Sequence, residues 1–116
     1  MFTYQACFNG GKLSEKVKNF NLEGSVTLRE IQTRVKKGAL DPQTFILESE
    51  NLSDLMKSSS EFYMKFQHSI DDVDFLVIYF YESQCNISFD REFISFIENI
   101  GATLSITCEP SNSGLQ

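Results

Sequence analysis

The chain has 116 residues, of which 41% are hydrophobic and 22% are charged, and its formal net charge is −6. This length suits one domain with one hydrophobic core. The negative charge argues against nucleic acid and against an anionic membrane as partners, because both select a concentrated positive face. The charge is uneven, with seven Lys/Arg and three Asp/Glu in residues 1–40 but three and thirteen in residues 41–116.

The N-terminal segment predicts a strand followed by a short helix. Residues Phe2–Phe8 alternate, which is typical of a half-buried strand whose inner face carries Phe2, Tyr4, Ala6 and Phe8. Two glycines after Asn9 suit a tight exit from this strand. Ser14–Phe20 has the spacing of a short helix, with Leu13, Val17 and Phe20 on one side.

A second helix is predicted from Leu28 to Lys37. Thr27 and Glu30 have the spacing of a capping box, and Gly38 suits the left-handed position after a helix. The competing interpretation is a strand. Val26 and Leu28 fit its alternation, which breaks at Glu30 and Gln32.

The middle of the chain predicts a short strand and then a hairpin. Thr44–Leu47 reads as a strand, and Asn51–Ser60 as a loop or a frayed single turn. Glu61–His68 alternates again and predicts a strand. The short loop Ser69–Asp72 would pair this strand antiparallel with the one that follows.

The apolar run Val73–Tyr81 predicts the central strand of the sheet, buried on both faces. A helix is expected next, capped by Ser88 or Asp90 and stopped by Gly101. Its inner face carries Phe93, Phe96, Ile97 and Ile100. The last strand is predicted from Ala102 to Cys108.

Together these elements predict an α+β fold, in which a single mostly antiparallel sheet has two helices packed on it. Residues 1–109 are expected to form one domain, and residues 110–116 a disordered C-terminal tail.

No group of residues predicts catalysis, a cofactor or a metal site. His68 is the sole histidine, and its neighbours Ser69, Asp71 and Asp72 lie in a predicted turn, which favours a surface histidine over a catalytic one. The acidic cluster Asp71, Asp72 and Asp74 lacks the glycine and the closing glutamate of a calcium loop. We therefore expect a protein that is not an enzyme.

The cysteines and the N-terminus predict a cytoplasmic protein. Cys7, Cys85 and Cys108 are odd in number and show no C-x-x-C spacing, so we expect reduced, mostly buried thiols. The N-terminal sequence MFTYQACFNGG lacks the basic and apolar regions of an export signal.

The chain resembles a known functional class in its overall profile. It is small, acidic and poor in cysteine, and its ending SFDREFISFIENIGATLSI looks like a helix-to-strand module of small bacterial domains. This profile is similar to that of bacterial immunity proteins, which neutralise toxins delivered by neighbouring cells, as in contact-dependent growth inhibition.

This resemblance implies a stoichiometric inhibitor whose partner is a cognate basic protein toxin, for instance a nuclease. The acidic residues of the C-terminal two-thirds are then the candidates for partner binding: Glu48, Glu50, Asp54, Asp71, Asp72 and Asp74. Tyr63, Tyr79 and Tyr81 are candidate aromatic anchors, although a core position suits each of them better. Two alternatives remain, namely a small ligand-binding or regulatory domain and a phage-type inhibitor that mimics nucleic acid.

Overall fold

The computed structural model describes residues 2–11, 13, 17, 20, 22, 24–32, 43–81 and 88–110. Within these residues, five strands form one sheet: β1 Phe2–Asn9, β2 Thr27–Gln32, β3 Gln43–Ser49, β4 Asp72–Tyr81 and β5 Ala102–Pro110. Two helices pack on the sheet, α1 Leu52–Phe66 and α2 Arg91–Asn99. A 3-10 turn, Gln67–Ser69, follows α1.

The sheet has the strand order β2-β3-β1-β4-β5. The pairs β2–β3, β3–β1 and β1–β4 are antiparallel, and β4–β5 is parallel. The predicted α+β fold with a mostly antiparallel sheet is therefore confirmed. The parallel pair follows from α2, because a helix crosses over between β4 and β5.

The core lies between the helices and one face of the sheet. Alternation in β1, β3 and β4 sends every second side chain to this face, and the fully buried ones include Ala6, Phe8, Leu47, Phe75 and Val77. Helix α1 packs over β3 and β1, whereas α2 packs over β5. We call this side of the sheet the helix face.

Phe62 occupies the centre of the α1 side of the core and is fully buried. Its ring centroid lies 4.6 Å from that of Phe8, 4.9 Å from Phe66, 5.2 Å from Phe20 and 6.2 Å from Phe45. Aromatic rings at these separations interact favourably beyond their loss of exposed area. Phe62 thus joins α1 to β1, to β3 and to the segment before β2.

The predicted helix Leu28–Lys37 is wrong over residues 28–32, which form strand β2, and residues 33–37 lie outside the described part of the chain. In β2, Leu28 is opposite Leu47 and so points to the helix face. The Thr27 hydroxyl does not cap a helix but donates a hydrogen bond of 3.5 Å to the Glu48 carbonyl oxygen. Pairing with β3 therefore outweighs the local capping signal.

The interpretation of residues 51–68 as a loop and a strand is also wrong, because helix α1 spans most of this segment. The Asn51 side chain caps the helix by accepting a hydrogen bond of 3.0 Å from the Asp54 N–H. Leu55, Phe62 and Phe66 then recur on one helical face and are buried. The predicted hairpin does not form, and β4 pairs instead with β1 and β5.

Strand β4 is an inner strand of the sheet, but it is neither central nor buried on both faces. Strand β1 holds the central position. In β4, Val73, Phe75 and Val77 are buried on the helix face, whereas Leu76 and Ile78 on the opposite face are half-buried. The side chains of this apolar run therefore alternate between buried and accessible positions, although the sequence from Phe75 onwards shows no alternation of apolar and polar residues.

The predicted helix after residue 88 and the strand that follows it are confirmed. Asp90 caps α2 by accepting a hydrogen bond of 2.9 Å from the Phe93 N–H. Gly101 follows the helix with a φ of 63°, a conformation that glycine adopts without strain. Strand β5 is longer than predicted and includes Pro110.

Two predicted segments lie mainly or wholly outside the described residues. Most of Ser14–Phe20 is among them, but Leu13 is buried, and Val17 and Phe20 pack against the core. Residues 111–116 of the predicted tail also lie outside the described part of the chain.

Replacing Ser59 by alanine is expected to stabilise the protein by about 1 kcal/mol, because a buried hydroxyl without a hydrogen bond is unfavourable and alanine favours helices. Ser59 is fully buried in α1, and its hydroxyl has no hydrogen-bond partner among the residues that the structure describes. Chemical denaturation measures the difference. The exposed Ser53→Ala in the same helix is the control and should shift stability by about 0.5 kcal/mol or less; an equal shift in both variants would contradict the prediction.

Candidate functional site

The face of the sheet opposite the helix face, here called the open face, is covered by no helix in the described part of the chain. Its side chains come from the alternate positions of all five strands. Leu76, Ile78 and Phe80 of β4 form a half-buried apolar row on it. Ile46 of β3 also lies on this face but is only 6% exposed, so the accessible apolar area comes from the β4 row. This surface therefore combines accessible apolar groups with the acidic residues described next.

Carboxylates surround this apolar row. Among the described residues, the open face carries Glu48 of β3, Asp72 and Asp74 of β4, and Glu109 of β5. Arg29 of β2 is the one basic side chain placed there by the described registers. The described helices instead carry both signs, including Lys57, Lys65, Glu61, Glu92 and Glu98. Among the described residues, the open face thus carries four carboxylates and one basic side chain.

A groove of about 400 Å³ lies on the open face. Glu48 and Glu50 line it together with Ile78 and Phe80, and hydroxyl side chains complete the lining: Thr3, Ser25, Thr27 and Ser49. Glu50 follows β3 and is exposed. The groove thus offers carboxylates beside an apolar surface, which suits a group with a cationic end and an aliphatic stem.

Amide side chains of the central strand β1 hold these carboxylates in place. Gln5 Nε2 donates a hydrogen bond of 2.5 Å to Glu48 Oε1. Asn9 Nδ2 donates to Asp72 and, at 3.5 Å, to Asp74. The Thr44 hydroxyl donates to Asn9 Oδ1 at 2.5 Å and fixes the orientation of that amide.

The sheet geometry sets the spacing of the two anchored groups. Glu48 and Asp74 are two strands apart and offset by two residues, so their Cα atoms are roughly 12 Å apart for ordinary strand dimensions. This distance is too large for one small cation. It suits several basic side chains on a single macromolecular surface.

Two of the six candidate residues lie away from the open face. Asp54 belongs to the first turn of α1, and its Oδ2 accepts hydrogen bonds of 3.1 Å from the Ser25 N–H and 3.2 Å from the Ser25 hydroxyl. Gly24 is placed so that a Cβ atom would lie 2.2 Å from this carboxylate. Asp71 precedes β4, and its N–H donates a hydrogen bond of 2.7 Å to the Asn9 carbonyl oxygen. Asp54 therefore joins α1 to the start of β2.

The three candidate tyrosines lie on the helix side of the sheet. Tyr63 belongs to α1 and packs against the core. Tyr79 of β4 stacks on Phe2 with a centroid distance of 4.5 Å, and Tyr81 lies beside it at 6.4 Å. None of the three therefore lies on the same surface as Glu48, Asp72 and Asp74.

Cys7 lies in the middle of the open face, between Ile46 of β3 and Asp74 of β4. Burial is the main cause that raises the pKa of the Cys7 thiol. The negative charges of Asp74 and Glu48 raise this pKa further, and the positive charge of Arg29 opposes them. A thiol with a raised pKa contains little thiolate at neutral pH. Cys7 therefore suits a packing role better than a nucleophilic one.

The expectation that the cysteines are reduced is wrong for Cys108, which is disulfide-bonded. Cys7 is free, and Cys85 lies outside the described residues. The sequence could not predict the bond, because pairing depends on distances in the folded chain rather than on sequence spacing. Disulfides persist mainly in oxidising compartments, so the cysteines no longer support a cytoplasmic location.

His68 is exposed in the 3-10 turn after α1. The residues that the structure describes include no group of three or more His, Cys, Asp or Glu side chains able to hold a metal ion. Neither described helix is long and apolar enough to cross a membrane.

Sequence reasoning missed the polar residues that organise the open face. The sequence predicts Gln5 only as an outer position of a strand and Asn9 only as part of the exit from it, yet these two residues hold three of the candidate carboxylates. The signal was present in the alternation of β1, whose outer positions are Thr3, Gln5, Cys7 and Asn9. An inner strand with polar outer positions indicates that its second face is accessible.

The fold and the open face define an α+β protein with an acidic sheet surface. The chain matches no protein-family model, no curated protein and no solved structure.

Proposed function

We propose that this chain is an acidic binding protein that neutralises a basic protein toxin, for instance a nuclease, by stoichiometric association through its open face. The observation that carries the proposal is the concentration of Glu48, Glu50, Asp72 and Asp74 around the apolar row of β4. The profile resemblance to bacterial immunity proteins supports the same function.

The physical basis is electrostatic steering followed by apolar contact. A surface of one sign accelerates association with a partner of the opposite sign. The row Leu76, Ile78 and Phe80 then supplies area that loses water on contact. Because Gln5 and Asn9 already orient the carboxylates, binding needs little further ordering of these side chains. The inhibitor itself makes and breaks no covalent bond.

A second function is favoured by the groove. Its volume of about 400 Å³ falls within the range of small-molecule sites. Stabilisation by a cationic metabolite in a thermal-shift screen, without any effect of a basic protein, would favour a ligand-binding or regulatory domain. Nucleic-acid mimicry finds less support, because apolar side chains and Arg29 interrupt the acidic residues of the open face.

A cytoplasmic location is part of the proposal, because the target of a nuclease toxin is cytoplasmic nucleic acid. The disulfide at Cys108 is more typical of an oxidising compartment. Thiol labelling of the protein from its source cells distinguishes the two, since a cytoplasmic protein would have Cys108 reduced.

Titration against basic nuclease toxins, chosen first from any that the genes beside this chain's own encode, tests the function. We expect a 1:1 complex whose association rate falls on the order of tenfold between low and high salt, because ions screen the opposite charges. Stopped-flow fluorescence and calorimetry measure the rate and the stoichiometry. Tight binding with no dependence on salt would contradict the electrostatic basis, and failure to inhibit the toxin would contradict the function.

A further inference from the structure

We propose that β5 is a self-association edge, at which two copies of the chain pair antiparallel to form one continuous ten-stranded sheet. In the described part of the chain, β5 pairs on one side only, with β4. Its side chains are largely accessible, and Ile106 is 47% exposed. An inner strand would have its second row of backbone N–H and C=O groups paired.

Residues 102–108 of β5 lack the features that protect exposed edges from pairing, and the one charge and one proline of this strand, Glu109 and Pro110, lie at its C-terminal end. Residues 102–108 read ATLSITC and contain no charged side chain and no proline. Natural edge strands commonly carry charges, prolines or bulges that prevent such contacts. The opposite edge, β2, is shorter and carries the adjacent charges Arg29 and Glu30. The two edges of the sheet therefore differ in their capacity for pairing.

The sequence of β5 is complementary to itself. In an antiparallel pair centred on Ser105, Leu104 lies opposite Ile106 of the second copy on the helix face, and Thr103 lies opposite Thr107 on the open face. Glu109 lies beyond the paired segment, opposite Gly101, so no carboxylate faces another. This match favours a second copy of the chain over an unrelated strand.

Helix α2 supplies a second contact on the same edge. The side of α2 that faces α1 carries Glu92, Ser95 and Asn99. Ile94 lies on the other side, towards the outer edge of the sheet, and is 50% exposed. Pairing of the two β5 strands brings both α2 helices close to the twofold axis, so that Ile94 and Ile106 lose exposed area together.

The pairing leaves the open face accessible. A twofold axis perpendicular to the sheet keeps both open faces on the same side, so the dimer presents two acidic surfaces next to each other. The inference does not depend on the proposed function, because the edge strand carries none of the six candidate carboxylates.

Light scattering after size-exclusion chromatography, over a concentration series, tests the association. We expect the wild-type mass to rise towards twice the 13.3 kDa of one chain. Ile106→Lys should remain at the mass of one chain, because it places a charge opposite Leu104 of the second copy. The control is Ile31→Lys on β2, where the side chain is 41% exposed, and it should behave as wild type. Circular dichroism verifies that both variants are folded.

Oxidative cross-linking tests the register. Ser105→Cys should form a covalent dimer, since residues 105 of the two copies lie opposite each other within disulfide distance. Thr103→Cys is the matched control on the same face and should not cross-link, because its two thiols would be roughly 13 Å apart. A wild-type protein that stays at the mass of one chain at every concentration, or equal cross-linking of both variants, would overturn the proposal.

Discussion

Phe62→Ala is expected to lower the free energy of unfolding by about 3–5 kcal/mol, the range for removing a large aromatic side chain from a packed core. The ring is fully buried and contacts the rings of Phe8, Phe20, Phe45 and Phe66. Its loss leaves a cavity at the junction of α1, β1 and β3. Such a loss is a large part of the stability of a domain of this size.

Urea denaturation followed by circular dichroism measures the effect. Met64→Ala is the matched control, because Met64 belongs to the same helix and is 74% exposed. We expect the control to shift stability by about 0.5 kcal/mol or less. Similar losses in the two variants would show that Phe62 does not occupy the centre of the core.

Reversing the charge of two open-face carboxylates, Asp72→Lys with Asp74→Lys, is expected to weaken binding of the basic toxin by about 100-fold, or about 2.7 kcal/mol. Both side chains are exposed and accept hydrogen bonds from the Asn9 amide at the surface, so the fold should tolerate the change. The substitution replaces two attractive groups by two repulsive ones at the centre of the proposed contact.

The matched control has the same net charge but places the change on the helices. Glu61→Lys with Glu98→Lys alters two exposed carboxylates of α1 and α2. We expect this variant to keep its affinity within about threefold, since long-range electrostatics changes association modestly and rim charges mainly affect rates. Equal weakening by the two double variants would show that net charge, and not the open face, determines binding.

Elements marked by local signals could be predicted from the sequence. Elements that depend on distant partners could not. Phe2, Tyr4, Ala6 and Phe8 share a face because a strand has a period of two, and this prediction needs no neighbour. Asp90 and Gly101 mark the ends of α2 by local hydrogen bonds and a positive φ.

Residues 27–32 and 61–68 were predicted wrongly because each carries two periodicities. Thr27 and Glu30 fit a helix cap, but pairing of Leu28 with Leu47 decides for a strand. Phe62 and Phe66 fit both an alternating strand and one face of a helix, and the Asn51 cap upstream selects the helix. Local sequence could not decide these cases, because the partner strand or the cap lies elsewhere in the chain.

The sequence could predict that the candidate site is acidic, but it could not predict which acidic residues share one surface. The acidic bias of residues 41–116 identified Glu48, Asp72 and Asp74, which the structure places on one face. It also included Asp54, which accepts hydrogen bonds from Ser25 beside α1. Which carboxylates share a face depends on strand order, and strand order is a property of the folded chain.

Carboxylate footprinting of the protein with and without the basic nuclease toxin tests the account most directly. A carbodiimide couples glycine ethyl ester to exposed carboxylates, and mass spectrometry locates the labels. We expect the toxin to protect Glu48, Glu50, Asp72 and Asp74 while Glu61, Glu92 and Glu98 on the helices label as in the free protein. Protection of the helix carboxylates with unchanged labelling of the open face would contradict the account.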